Sequence, residues 1–392
     1  MRAFYLRTFL QYFGLGIIIP GVTLFWLQRG LNLFQIASLS TIFLIVALIA
    51  EVPTGYIADR FGRKTSLVLS AFVVAFSYAV YVSTYNITVL LICVGIEALG
   101  FALYSGADQA FVYDTLKEKG EESTFKKVFS KVSVVDEVSM TLGMITSSGV
   151  VYFIGVTGAL GVSGIFMALT GVFSLVFLRE PSVHEHVIDN AVEELERHPL
   201  ALLKRAVGIL RDNHHFILMM FSFAFLTEIG AYLWQPQLSH VGVPAAMFGL
   251  IFAGLKLCSA AGSYFAGTFN GKIGAKAFVV LALGMAVAFA IMSLTNVYFI
   301  IGGLALISFL DNAYRVFQSE YINKIIASKR RATLLSVNAM FASLFGAGFA
   351  LILGASAQWY GLAIALLVLV AIKIIAIIPL LFVRDYKHPS IT

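Results

Sequence analysis

The residues of this chain with the most chemistry to offer are ionisable side chains set inside long apolar runs: Glu97, Asp136, Glu137, Glu228, Lys256, Asp311 and Arg315. A charge at the centre of a bilayer costs roughly 2.5–3.5 kcal/mol on insertion scales, so each should face a partner, a ligand or trapped water. Asp311 and Arg315 stand four apart and can pair on one helix face. Glu228, Tyr232 and Gln235 form one polar stripe, and Lys256, Ser259 and Ser263 another, so that Glu228 and Lys256 could neutralise each other across a helix seam. Glu97 and Asp136 have no mid-run base in their own half. A carboxylate held in low dielectric without a partner favours its neutral form, and can take a proton or a cationic group. Glu137 points about 100° away from Asp136 on a helix and is the bystander of the two. Glu51, Asp108 and Glu320 lie near run ends, where gating or solvation is expected, and Lys373 has no evident role.

A second constellation is a loop. Residues 55–64 read G-Y-I-A-D-R-F-G-R-K. Gly55 and Gly62 allow a tight turn that brings two helix ends together. Asp59, at a helix junction, can face the positive N-terminal end of another helix, and Arg63 can hold a carboxylate with two parallel bonds.

These residues need elements to position them, and composition names the solvent those elements occupy. Apolar residues make up 59% of the chain and charged ones 12%, about half the share in soluble domains. So few charges cannot cover that much apolar surface in water; in lipid they need not. Runs of about 20 apolar residues suit a membrane-spanning helix, and they fall at 4–26, 35–57, 66–84, 87–112, 128–153, 157–178, 216–236, 245–268, 276–294, 297–321, 332–355 and 361–383. The runs are continuous rather than alternating, which excludes a membrane β-barrel. Of the 27 Lys and Arg, all but Arg29, Lys256, Arg315 and Lys373 fall on the side of the N-terminus. That asymmetry places both termini in the cytoplasm, and it accounts for the net charge of +6 without a nucleic-acid partner. The first run is long enough to stay as a span rather than leave as a signal peptide.

One long polar stretch, 179–215, divides the spans six and six. Its segment from Pro199 to Arg211 carries Leu202, Leu203, Ala206, Val207 and Leu210 on one face and Lys204, Arg205 and Arg211 on the other, as expected of a helix lying on the membrane surface. The halves also match each other: Gly55, Arg60, Gly62 and Lys64 correspond at one constant offset to Gly267, Lys272, Gly274 and Lys276. Parallel repeats of this kind build one class of transporter.

The segment Gly55–Lys64 agrees at all six specified positions with G-x-x-x-D-R-x-G-R-K, the loop between helices 2 and 3 that marks the major facilitator superfamily. The chain resembles that superfamily over its whole length, by span count, linker and repeat. Glu51-Val52-Pro53-Thr54 and Arg331-Ala332-Thr333 are similar to a bacterial exporter-like branch. The resemblance implies an all-α integral membrane protein of twelve transmembrane helices in two pseudo-symmetric six-helix bundles, 1–178 and 216–392, joined by a cytoplasmic linker at 179–215. It implies a gating role for Gly55, Asp59, Arg60, Gly62, Arg63 and Lys64, with Asp114 as the partner carboxylate, bracing helix 2 against helix 11 in the outward-open state. It also implies that helices 1, 2, 4, 5, 7, 8, 10 and 11 line a central cavity, the set that carries all seven mid-span ionisable residues. Two family features are missing. The helix-4 arginine is Ile96 here, and the helix-5 antiporter glycines, Gly143 to Gly149, lack their proline.

Enzyme signatures are absent: there is no H-E-x-x-H, no G-x-S-x-G and no phosphate loop. The pairs His184/His186 and His214/His215 read as solvated residues, Cys93 and Cys258 as small buried hydrophobes. Asn86-Ile87-Thr88 forms a sequon in a very short loop. No cofactor, metal or enzymatic activity is expected. The expected function is secondary active transport of a small organic solute by alternating access in a bacterial plasma membrane, the protein acting as a monomer. Protons would couple through Glu97 and Asp136, and export of an amphiphilic or cationic compound leads. Uptake of a metabolite by symport or uniport, with Lys256 and Arg315 holding an anionic group, comes second. A membrane sensor or lipid flippase on the same fold comes third.

Overall fold

A computed structural model describes residues 1–182, 214–226, 231–269, 274–325 and 331–382. The first span, α1, runs from Arg2 to Gln28 through a 3-10 turn at Ile19–Gly21, where Pro20 withholds an N–H from the ladder. Then come α2 (Leu33–Phe61) and α3 (Arg63–Ser83). The next span, α4, is Ile87–Tyr104, continued after Gly106 as Ala107–Glu118. Helix Phe125–Phe177 breaks at Gly155, whose φ of 70° no other residue type adopts readily, into α5 (125–154) and α6 (156–177). The later spans are α7 (His214–Leu226 and Trp234–His240), α8 (Ala245–Thr268), α9 (Ala275–Met292), α10 (Val297–Ile325), α11 (Arg331–Tyr360) and α12 (Leu362–Ile375, then Ile377–Phe382).

Ten helices among the described residues are long and apolar enough to cross a membrane. One of them holds both α5 and α6, and α7 completes the twelve. No strand occurs among the described residues. The expected surface helix at 199–211 and the histidines His184 and His186 lie outside the described residues. Two compact units result: Met1–His186 with Leu238–Gly254, and Val187–Gln237 with Leu255–Thr392.

Local chemistry explains the helix boundaries. Asn32 caps α2 with its side chain while Gln35 reaches back to its N–H, each at 2.9 Å. Asn86 caps α4, accepting from the backbone N–H of Thr88 at 3.0 Å, which gives the sequon asparagine a structural role. Inside α2, Pro53 removes one ladder bond. The next residue, Thr54, donates to the Ala50 carbonyl at 2.7 Å and the Ala102 carbonyl at 3.1 Å, tying α2 to α4. Packing of α1 on α5 is close enough that a Cβ on Gly16 would strike the Met140 carbonyl. In the second unit, Phe223, Phe278, Tyr314 and Tyr321 form an aromatic core with ring centroids 5.0 to 6.1 Å apart.

Candidate functional site

The first unit contains a cavity of about 310 Å³ between α1, α2, α3, α4 and α6. Its wall is aromatic: Phe25, Trp26, Phe43, Tyr78 and Tyr81 line it, and Trp26 meets Tyr81 edge-on at 4.8 Å. Glu97 enters this wall from α4. The Tyr81 hydroxyl donates to Glu97 Oε2 at 2.7 Å. No Lys, Arg or His lines the cavity, so Glu97 is the charge-bearing group of an otherwise apolar and aromatic space. Glu97 was legible as a candidate; its tyrosines on α3 and the tryptophan on α1 were not, because single aromatic residues are common throughout this chain.

A second polar cluster lies near the end of the unit that carries Met1. Arg7, counted from sequence among the orientation bases, sits inside α1 and is completely buried. Its guanidinium lies over the Tyr104 ring at 5.0 Å, and Nε, Nη1 and Nη2 have no hydrogen-bond partner. Asp108 on α4 and Asp136 on α5 lie within its electrostatic reach. Asp108 stands in the first turn after the Gly106 break, where free backbone N–H groups favour an acid. Asp136 Oδ1 is buried without a partner. Tyr12 and Tyr104 approach through their hydroxyls at 3.4 Å. Glu137 is exposed, in keeping with its place on another face of the helix.

The loop motif is built differently. Gly62 ends α2 and begins α3 with φ of 99°, a conformation that glycine alone adopts cheaply. Arg63 pairs with Asp59 at 2.6 Å and reaches Asp114 at 3.8 Å, so it is shared between two carboxylates rather than doubly bonded to one. Arg60 donates to the Tyr56 hydroxyl at 2.7 Å. The residue that sequence inspection missed is Glu180. Its carboxylate accepts from the backbone N–H groups of Arg63 (2.6 Å) and Lys64 (2.9 Å), capping α3 from just beyond α6. A Cβ at Gly62 would also push that carboxylate, the end of a flexible side chain, off the α3 N-terminus. Gly55 has open space around its Cα.

In the second unit Asp311 is buried and accepts from Arg315 Nε at 2.8 Å, the pairing their spacing predicts. Arg315 is half-exposed and Lys256 half-buried. Glu228 and its pairing with Lys256 lie outside the described residues. Lys373 acquires a clear role, since its buried Nζ donates to the carbonyls of Phe225 (3.0 Å) and Leu226 (3.1 Å), where the first part of α7 ends.

Among the described residues, ten helices long and apolar enough to cross a membrane, with polar side chains buried between them, define a multi-pass helical membrane protein. The Major Facilitator Superfamily model matches residues 4–242, and the chain belongs to that superfamily. The uncharacterized MFS-type transporter YxaM of Bacillus subtilis (strain 168) is 23% identical, over 99% of this chain and 98% of its own. Among solved structures, the nucleoside transporter NupG superposes with a TM-score of 0.80 at 14% identity, over 98% of this chain and 99% of that one. A D-xylose-proton symporter superposes at 0.70 and 16% identity, over 99% of each. At these identities the structural likeness carries the fold. The protein is therefore a multi-pass membrane transporter of a small-molecule solute.

Proposed function

We propose that the protein exports amphiphilic organic cations in exchange for protons, with Glu97 taking proton and substrate in turn. The observation that carries this is the Glu97 carboxylate inside the aromatic cavity. Ring faces attract organic cations, by about 0.5–2 kcal/mol each, while the apolar wall accepts an amphiphile's body. A single acid with no base beside it supplies the charge that a cation or a proton can neutralise, but not both together. The tyrosine hydroxyl stabilises the ionised form during exchange. Two six-helix bundles, 1–178 and 216–392, would rock about the 179–215 linker, both termini cytoplasmic. Asp59, Arg63 and Asp114 would brace the outward-open state, with Gly55, Arg60, Gly62 and Lys64 shaping the loop. Lys256, Asp311, Arg315 and Glu228 would be the ionisable groups that the second bundle contributes to transport.

Flux into proteoliposomes tests this, with ethidium as the aromatic cation and uridine as a neutral metabolite. Vesicles made acid inside should accumulate ethidium, and Glu97→Gln should lose that accumulation at least tenfold. Uridine accumulation driven by an outside-acid gradient, with none of ethidium, would overturn export and establish proton-coupled uptake instead.

A further inference from the structure

Arg7 is buried completely, yet none of its three guanidinium nitrogens makes a hydrogen bond. Arginine stays charged in proteins, so this position holds a positive charge against the Tyr104 and Phe4 rings, with Asp108 and the Tyr104 and Tyr12 hydroxyls within its electrostatic reach. Such an arrangement is costly unless a counter-charge is within reach. The titratable groups around it are Tyr12 on α1, Tyr104 and Asp108 on α4, and Asp136 on α5 with Glu137 beside it. The tyrosines face each other through their hydroxyls. Glu137 is turned outward. Asp108 has the N-terminal turn of Ala107–Glu118 to stabilise its charge. Asp136 has no such support, and its Oδ1 is buried and unpartnered.

Arg7 is thus wholly buried and Asp136 half-buried with its Oδ1 enclosed and unpartnered, on helices α1 and α5 that pack closely enough for a Cβ on Gly16 to meet the Met140 carbonyl. We infer that Arg7 is the internal counter-ion of Asp136, pairing with it directly in one state of the transport cycle and released from it when Asp136 carries a proton. Arg7 is a positioning residue here: it touches no substrate, and it links the protonation of Asp136 to the arrangement of α1, α4 and α5. The proton arrives on the Asp136 carboxylate from one side of the membrane and leaves to the other once Arg7 swings back to replace it. The inference rests on proton coupling as proposed above, but assigns to Asp136 and Arg7 a role separate from the Glu97 cavity.

The test uses full-length protein in proteoliposomes with ethidium as probe, and two measurements on each variant. One is accumulation driven by an acid lumen; the other is exchange of internal for external ethidium with no gradient. Arg7→Met, which keeps the length and removes the charge, should reduce driven accumulation at least tenfold while exchange stays within about twofold. Arg7→Lys, which keeps the charge, should retain accumulation within about threefold. If Arg7→Met accumulates ethidium like wild type, or loses exchange and accumulation together, Arg7 is not the counter-ion. Wild-type vesicles that exchange ethidium without responding to the gradient would remove proton coupling itself, and this inference with it.

Discussion

Among the described residues three bases are almost wholly buried, and the deepest in each unit are treated in opposite ways. Lys373 on α12 is 2% exposed and gives its ammonium protons to two successive carbonyls at the end of an α7 segment. Arg7 on α1 is 0% exposed and gives its protons to nothing. Arg29, at the far end of α1 and slightly more open, stands between them. Its Nη2 donates to the Val82 carbonyl at 2.8 Å and its plane lies 4.1 Å from the Tyr85 ring centroid, but Nε and Nη1 are unpartnered. Since a buried charge is costly in proportion to what it lacks, the satisfied base is structural and the unsatisfied one is kept for something other than stability. Stability measurements on one substitution at all three sites, base to Met, rank them.

The largest loss should come from Lys373→Met. Two charge-assisted bonds disappear and two carbonyls are left in an apolar interior, against some recovered desolvation, for a net loss of about 3 kcal/mol. Thermal unfolding in detergent micelles reads this as the lowest midpoint of the series. A Lys373→Met midpoint equal to wild type would show that the carbonyls find other donors, and would erase the contrast.

How much of this was visible in the chain follows from what kind of signal each feature leaves. The spans, the repeat and the loop of residues 55–64 are long or patterned, and the Asp311–Arg315 pair is a spacing within one helix. The structure shows the described helices, the loop and the Asp311–Arg315 pair directly, while the repeat remains a match within the sequence. Arg7 was misjudged because a base near the N-terminus of a first span looks like an orientation charge. Only its packing under Tyr104, 97 positions away in the chain, removes it from solvent. Glu180 is likewise invisible as a cap, since it serves the start of α3 from a point more than 110 residues later. Lys373 could not be interpreted for the same reason: its acceptors are backbone carbonyls, which have no sequence signature. Contacts between distant segments, and contacts to main chain, are what the sequence withheld.

Arg29→Met should cost less than Lys373→Met, about 1–2 kcal/mol, from one hydrogen bond to a carbonyl and the face-on contact with Tyr85. Tyr85→Leu removes the ring and keeps the hydrogen bond, so the double variant should show the two losses to be coupled. Strict additivity of Arg29→Met and Tyr85→Leu would mean that the stacking contributes nothing, and Arg29 would move toward Arg7 in the ranking. The same burial bears on topology tests: a cysteine at Arg29 would be shielded, whereas Asn32, exposed at the start of α2, reports the face of the membrane cleanly.

The smallest effect, and the one that decides the comparison, belongs to Arg7→Met. What the substitution removes is a charge with no hydrogen bond and a ring contact at 5.0 Å, worth about 0.5–1 kcal/mol. What it recovers is the desolvation of a fully buried guanidinium, which is larger than that contact unless a carboxylate compensates it. Met fills most of the same volume with flexible apolar atoms, so no cavity opens, as one would with Ala. The net change should lie within about 1 kcal/mol of zero, or favour the folded state. A stability this insensitive, in the same variant that loses driven transport at least tenfold, is the signature of a base retained for coupling. A loss as large as that of Lys373→Met would instead place Arg7 with the structural bases, held by Asp108 or Asp136 throughout the cycle, and the difference between the two units would be one of geometry alone.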